Sequence, residues 1–274
     1  MSNTFTDAPI LRDKHHEAAS EFTPESLLRE ARRQKGLPAA RVPPICALDP
    51  DGDIVRYLLA TGAAKKDSNW ACYHSDLYRF VHQGHEFGVV GCAVGASYAV
   101  LVAEQIFASG CELLVSITSS GQITPLGAPP YFILIDRALR DEGTSYHYLP
   151  PAEFSEADAR LIGAVWPNLS KAGEPIECGA SWTTDAPFRE TAAAIEAAIS
   201  KGILAVEMEA AALYAFARAR RRPVLCFAHV TNQMGRTEGD FEKGEQNGAT
   251  AAIQLLAGIA DSWSQHRDEL RGAV

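Results

Sequence analysis

The sequence lacks the signatures of several common protein classes. Its six cysteines include no pair with CxxC spacing, which argues against the usual zinc and thioredoxin-like sites. We therefore expect reduced, mostly buried thiols, no bound metal and a cytoplasmic location. Neither a P-loop nor a GxGxxG turn is present, so the two common glycine-rich phosphate-binding motifs are absent.

Positive charge is also scarce. The 274 residues carry 25 Lys and Arg against 34 Asp and Glu, a formal net charge of −9. The one basic cluster, Arg218 with Arg220, Arg221 and Arg222, is interpreted as a helix C-terminus whose dipole favours cations. We expect no nucleic acid and no membrane surface as partners.

Long apolar segments are missing too. The longest uncharged run, residues 113–135, is interrupted by hydroxyl side chains, glycines and three prolines. The N-terminal residues contain no apolar stretch of the kind that a signal peptide needs. We therefore expect no membrane-spanning helix.

Alternating strand and helix patterns occupy most of the chain. Buried strands are predicted at residues 45–48, 112–117, 131–135, 203–206 and 223–230, with a hairpin over 77–92. Helices are predicted at residues 98–108, 188–200, 208–220 and 249–263. This order predicts an α/β fold with a largely parallel sheet covered on both faces. We interpret residues 43–274 as one domain and residues 1–42 as an N-terminal extension whose short helix is capped by Thr23.

Chemistry-bearing residues follow several predicted strands. Polar loops are predicted at residues 49–52, 118–121 and 231–233, and ligands of α/β sheets gather at the carboxyl ends of strands. Glu207, Met208 and Glu209 stand where a strand gives way to an alanine-rich helix. They fit either a ligand site or merely a charged first helical turn. His147 lies in a second polar segment, residues 140–148, and fits either a functional or a hydrogen-bonded structural histidine.

Four segments together resemble a known family. VEMEAAALYAFA, SITSSGQI, ALDPDG and RDEGTSYHYLPP, in this combination, are similar to the nucleoside phosphorylase family, nearest to its uridine phosphorylase branch. The resemblance runs from about residue 45 to residue 263. It implies a three-layer α/β/α sandwich around a mixed sheet with a distorted barrel, assembled as homodimers or homohexamers.

The resemblance also implies an activity. Members cleave the N-glycosidic bond of a nucleoside with phosphate, giving ribose 1-phosphate and free base, or with water in the nucleosidase branch. We thus expect a pentosyltransferase of nucleotide salvage that acts on a uridine-like pyrimidine nucleoside. No cofactor is expected, with phosphate as the possible co-substrate.

Site residues carry over from the family individually. Glu209 matches the glutamate that binds the ribose 2′- and 3′-hydroxyls, Met208 the methionine under the sugar, and Glu207 the flanking acidic position. Ser119 matches a hydroxyl that contacts phosphate and ribose. The remaining substrate-binding candidates are Ser120 and Gly121 beside it, and Trp182, Arg189 and Asn232 around the base. The catalytic candidates are Glu209, Ser119 and His147.

The family's phosphate-binding arginines have no counterpart. Leu48 stands in place of the glycine of the family's GDPxR-like turn, Gly52 in place of that turn's arginine, and Ser116 in place of an arginine on the central strand. Residues 72–74, where a neighbouring subunit would contribute another arginine, include none. A planar guanidinium binds a phosphate dianion through two parallel hydrogen bonds. Three alternatives therefore remain open: phosphorolysis with another cation, hydrolysis, or nucleoside binding without catalysis. The substitute cations considered are His74, Arg79 and Arg140.

Overall fold

The structure, a computed structural model, describes residues 8–169, 175–235 and 238–271. Its ten strands form one mixed sheet. In chain order they are β1 (Ile45–Asp49), β2 (Ala64–Lys66), β3 (Tyr78–His82), β4 (His85–Gly91), β5 (Leu113–Gln122), β6 (Tyr131–Asp141), β7 (Phe154–Glu156), β8 (Ile176–Thr184), β9 (Ile203–Glu207) and β10 (Val224–Asn232).

Helices connect or flank most of these strands. They are α1 (Pro24–Lys35), α2 (Asp53–Ala60), α3 (Ala96–Ala108), α4 (Ala159–Leu169), α5 (Ala192–Ser200), α6 (Ala210–Arg220) and α7 (Ala249–Arg271). Short 3-10 turns occupy Pro9–Leu11, Thr144–His147, Pro187–Arg189 and Glu245–Gly248. No helix within the described residues is both long enough and apolar enough to cross a bilayer.

Five of the strands close into a barrel. β10 pairs with both β5 and β6, and the ring is completed through β8 and β9. The antiparallel β5–β9 contact is confined to the strand ends, with Gly121 opposite Val206. β1, β4, β3 and β2 extend the sheet outward from β5. The closure brings the carboxyl ends of β1, β5, β9 and β10 to one region.

Helices cover the sheet on both sides. One apolar core lies between the sheet and helices α3 and α6, and it contains the buried Phe107, Tyr214 and Phe216. A second core lies between the sheet and helices α2, α4 and α7, around Phe87, Phe227 and Trp263. Helix α1 packs on the outside of α3 through Leu28 and Ala31. The expected α/β/α layers around a mixed sheet with a closed barrel are therefore confirmed.

Local predictions succeeded where a single signal decides the structure. Thr23 caps α1 by accepting a hydrogen bond from the Ser26 amide at 3.2 Å, and the predicted hairpin is β3 and β4. Other predictions were wrong. The sheet is not largely parallel but evenly mixed, and residues 231 and 232, predicted as a loop, belong to β10. Residues 118–121 belong to β5, because β10 pairs with Ser119 and Ser120 and extends the strand. The helix predicted from residue 188 begins at Ala192 instead, because the Thr191 hydroxyl caps the Ala194 amide.

Candidate active site

A cavity of about 550 Å³ opens where the ends of β5, β9 and β10 meet. Six of the residues singled out from the sequence line it: Ser119, Ser120, Gly121, Glu207, Met208 and Asn232. A β-carbon at Gly121 would lie 2.5 Å from the Met234 sulfur, so a larger residue there would displace that side chain. The barrel thus assembles one concave site from residues about 110 positions apart.

Glu207 is bound on all sides by the protein itself. Its Oε2 accepts hydrogen bonds from the backbone amides of Glu209 and Ala210, both at 2.7 Å, which caps the N-terminus of α6. Its Oε1 accepts hydrogen bonds from the hydroxyls of Ser181 and Thr183. Burial raises the pKa of the Glu207 carboxyl in spite of these donors. The arrangement makes Glu207 a fixed capping group that holds Met208 and Glu209 in place.

Glu209 is buried to the same degree but retains a free acceptor. Its Oε1 accepts a hydrogen bond from the Gly95 amide at 2.7 Å, at the start of α3. Its Oε2 is buried and has no hydrogen-bond partner among the described residues. Burial and the neighbouring Glu207 carboxylate raise the pKa of Glu209. A buried acceptor without a donor is costly, so this oxygen is suited to bind hydroxyl groups of a ligand.

An acidic side chain occupies the wall beside Ser119. The Asp51 carboxylate, from the turn after β1, accepts a hydrogen bond from the Ser119 backbone amide at 2.7 Å. Asp51 lines the cavity and its side chain is about one-third exposed. An amide at this position would otherwise be free to bind an anion. Here its hydrogen-bond capacity is used by a carboxylate that also repels anions.

The two cations nearest this turn are already paired with acids. Lys243 Nζ lies 2.6 Å from Asp53 Oδ2 and 3.7 Å from Asp51 Oδ1. Arg56 donates to Asp53 Oδ1 at 2.6 Å and to the Asp51 carbonyl at 2.7 Å. Of the two, Lys243 lines the cavity. It is the one cationic side chain in the described lining, against the carboxylates of Asp51, Glu190 and Glu207.

Glu190 is a functional candidate that the sequence did not reveal. It lies after the Pro187–Arg189 turn, lines the cavity, and has a pKa that burial raises. A carboxyl group with a raised pKa keeps its proton to a higher pH than an ordinary one, which makes it a candidate proton donor. Asn232 lines the opposite part of the cavity, and its Oδ1 accepts a hydrogen bond from the Met234 amide at 2.9 Å. Asn232 is therefore held by its own turn and has no acidic proton.

Four of the predicted site residues do not line this cavity. Glu209 lies directly behind the lining residue Met208 and is 1% exposed. Trp182 is buried behind the wall, packs on Val206 and Met234, and donates its ring N–H to Asp141. Arg189 is exposed. His147 lies beside the N-terminal extension, with its Nδ1 at 3.1 Å from Lys14 Nζ. Their proposed roles in binding or catalysis stay predictions.

The cations considered from the sequence as substitutes for the missing arginines do not face this cavity. Arg79 pairs with Asp67 at 2.7 Å and Glu86 at 2.9 Å. Arg140 donates to the Ser145 hydroxyl and to the Pro150 carbonyl. Neither these two nor His74 lines the cavity within the described residues. Ser116, in the place of a family arginine, has a buried hydroxyl without a partner among the described residues.

Comparison with known proteins agrees with this architecture. A family model described as the phosphorylase superfamily matches residues 45–261. A guanosine phosphorylase from Halorubrum lacusprofundi is 25% identical over 178 residues, which cover 64% of this chain and 69% of that protein.

Solved structures extend the comparison at the level of the fold. A uridine phosphorylase from Vibrio fischeri ES114 superposes with a TM-score of 0.69 and 19% identity, covering 80% of this chain and 92% of that one. A 5′-methylthioadenosine/S-adenosyl homocysteine nucleosidase from Campylobacter jejuni superposes with a TM-score of 0.65 and 17% identity, covering 80% of this chain and 99% of that one. Phosphorylases and a nucleosidase thus share this fold.

Proposed function

Because the chain belongs to the phosphorylase superfamily, we propose that it cleaves the N-glycosidic bond of a nucleoside and transfers the sugar to water. The single observation that carries the choice of water is the Asp51 carboxylate bound to the Ser119 amide. It places negative charge at the wall where an anionic co-substrate would need donors. Sugar binding is assigned to Glu209 and Met208, and protonation of the departing base to Glu190.

The sugar is held by the residues at the start of α6. The unpartnered Oε2 of Glu209 accepts hydrogen bonds from the ribose hydroxyls, and Met208 packs against the ring. The carboxyl groups of Glu207 and Glu209 lie in a buried environment, where electrostatic interactions are stronger than in water. Burial raises the pKa of Glu209 to about 8. In its ionised form Glu209 stabilises the positive charge that develops on the sugar as the bond to the base breaks.

Water reacts beside Ser119. The Asp51 carboxylate accepts a proton from the water while the water oxygen bonds to C1′ and the C1′–N bond breaks. Glu190 donates a proton to the departing base, so that the protons balance. Hydrogen bonding to the Ser119 amide fixes one oxygen of Asp51 and leaves the other near Lys243.

Phosphorolysis is the second candidate, and Lys243 is the observation that favours it. Its ammonium group lines the cavity and could pair with phosphate if it left Asp53. The named relatives include phosphorylases of both uridine and guanosine. For the base we therefore keep a uridine-like pyrimidine as the first substrate to test and guanosine as the second.

Base release from a panel of nucleosides, measured with and without phosphate, tests the proposal. We expect release that does not depend on phosphate, with free ribose as the other product. Release that rises with phosphate and gives ribose 1-phosphate would establish phosphorolysis instead. Binding seen by calorimetry without any release would establish a catalytically silent nucleoside-binding protein.

A pair of variants locates the reacting water. We expect Asp51→Asn to lower the rate at least tenfold with little change in nucleoside affinity, because it removes the proton acceptor. Asp76→Asn is the matched control, since Asp76 is an exposed acid paired with Lys66 and lies outside the cavity lining. Equal rates in both variants would contradict the role of Asp51.

We further propose that the protein forms a homodimer or homohexamer and acts in the cytoplasm. The family resemblance supports this assembly, and closed symmetric homo-oligomers are the usual case for soluble enzymes. Sedimentation at micromolar concentration should show no species at the chain mass of 29.6 kDa. A single monomeric species would contradict the proposal.

A further inference from the structure

Two adjoining cavities lie at the end of α6 remote from Glu209. The first has a volume of about 500 Å³ and the second about 400 Å³, and both are lined by Arg218 and Arg221. Helix α6 has 11 residues, which corresponds to about 16 Å of length at 1.5 Å per residue. These cavities are therefore separate from the nucleoside site, although one helix joins the two regions.

The shared arginines form no ion pair with an acid among the described residues. Within residues 8–169, 175–235 and 238–271, no carboxylate lies within 4.0 Å of the guanidinium groups of Arg218 or Arg221. The acids in the two linings are Glu17, Glu156 and Asp158. Asp158 is neutralised by Arg160 at 2.7 Å. His16 and Arg222 add further basic groups to the linings, so cations predominate here in a chain whose net charge is −9.

Arg140 contributes a buried cationic side chain to the lining of the first cavity. It is only 6% exposed, and its guanidinium donates to the Ser145 hydroxyl at 2.8 Å and to the carbonyls of Pro150 and Leu149. No carboxylate among the described residues forms an ion pair with it. The guanidinium also lies 4.4 Å from the centre of the Tyr146 ring, and Glu142 attracts it without forming an ion pair. An anion in the cavity would add the counter-charge that this buried group lacks at contact distance.

Aromatic and proline side chains also line the first cavity. Tyr148 and Phe154 line it together with Pro150 and Pro151. The Tyr148 ring is fixed by an edge contact with Phe216 at 5.9 Å and by a hydrogen bond to Glu104 at 3.1 Å. Rigid aromatic and proline surfaces suit a planar heterocycle, and arginine forks suit phosphate groups.

We propose that these two cavities form a binding site for a nucleoside di- or triphosphate. The base packs against Tyr148 and Phe154, and the phosphate chain extends along Arg218 and Arg221 from the first cavity into the second. The site is distinct from the acidic cavity at Ser119, which disfavours phosphate groups. Its ligand contacts α6 directly, the same helix whose N-terminus carries Glu209.

Calorimetry of ATP and ADP binding to the full chain tests the proposal. We expect saturable binding that the double variant Arg218→Ala/Arg221→Ala weakens at least tenfold. The control is Arg29→Ala/Arg33→Ala, which removes two exposed arginines of α1 and should leave the affinity unchanged. Equal losses in the two double variants, or no binding to the unchanged protein, would overturn the proposal.

Two additional measurements identify the ligand and the location. Glu209→Gln should retain nucleotide affinity, and its loss there would place the nucleotide in the nucleoside cavity and overturn the proposal. Inorganic tripolyphosphate should bind at least tenfold more weakly than ATP, because it lacks the base. Tripolyphosphate as tight as ATP, or an RNA oligonucleotide that binds tighter than both, would also overturn it.

Discussion

Replacement of Glu209 by glutamine is the sharpest test of sugar recognition. The amide keeps the shape of the carboxylate and can still accept the Gly95 hydrogen bond through its oxygen. Its NH₂ group then takes the place of the buried Oε2, which lacks a partner in the described residues. Two hydroxyl donors of the ribose would meet an NH₂ donor where they meet an acceptor in the ionised carboxyl group.

The size of the effect follows from hydrogen bonds to the ionised carboxyl group, so the assay is run above the Glu209 pKa of about 8. Such bonds contribute about 1.5–3 kcal/mol each, and partial compensation by rotation of the amide reduces the loss to about 2 kcal/mol in total. A loss of this size corresponds to a fall of about thirtyfold in kcat/KM. Steady-state base release measures it, and circular dichroism confirms that the fold is kept. Unchanged kcat/KM in a folded variant would refute the assignment of Glu209.

Three further predictions concern the groups around the site. Glu207→Gln should lower the free energy of unfolding by about 1–3 kcal/mol in urea titration, because it places a donor among four donors in a buried cap; an unchanged midpoint would contradict the capping role. Glu190→Gln should lower kcat at least tenfold for poor leaving bases and least for good ones, and a uniform loss would exclude proton donation. Burial raises the pKa of Asp49 from 3.8 to about 7, so the folded state holds a proton that the unfolded chain releases. Stability should therefore fall as the pH rises from about 4 to about 7. Asp49→Asn should flatten this slope in urea titrations across that range. An unaltered slope would contradict the claim that Asp49 holds this proton in the folded state.

The sequence predicted the elements whose causes are local. The capped helix α1 and the hairpin of β3 and β4 each depend on a few neighbouring residues. The length of β5 could not be predicted, because its last residues look like a polar loop until β10 and β9 pair with them. Such pairing depends on strands more than 80 positions away, which periodicity does not report.

The same limit applies to the candidate site. Glu207, Met208 and Ser119 were found because a motif marks them, and the structure places all three in one cavity. Asp51 belongs to a turn noted in the sequence, but its hydrogen bond to Ser119 exists only once β1 and β5 are neighbours. Glu190 and Lys243 carry no local signal at all.

The identity of the sugar product tests the central claim, that Asp51 makes water the acceptor, most directly. The measurement is mass spectrometry of the products formed in heavy-oxygen water with saturating phosphate, after rapid quenching. The account predicts free ribose that carries one heavy oxygen at C1 and no phosphorylated sugar. Unlabelled ribose 1-phosphate as the main product would contradict it.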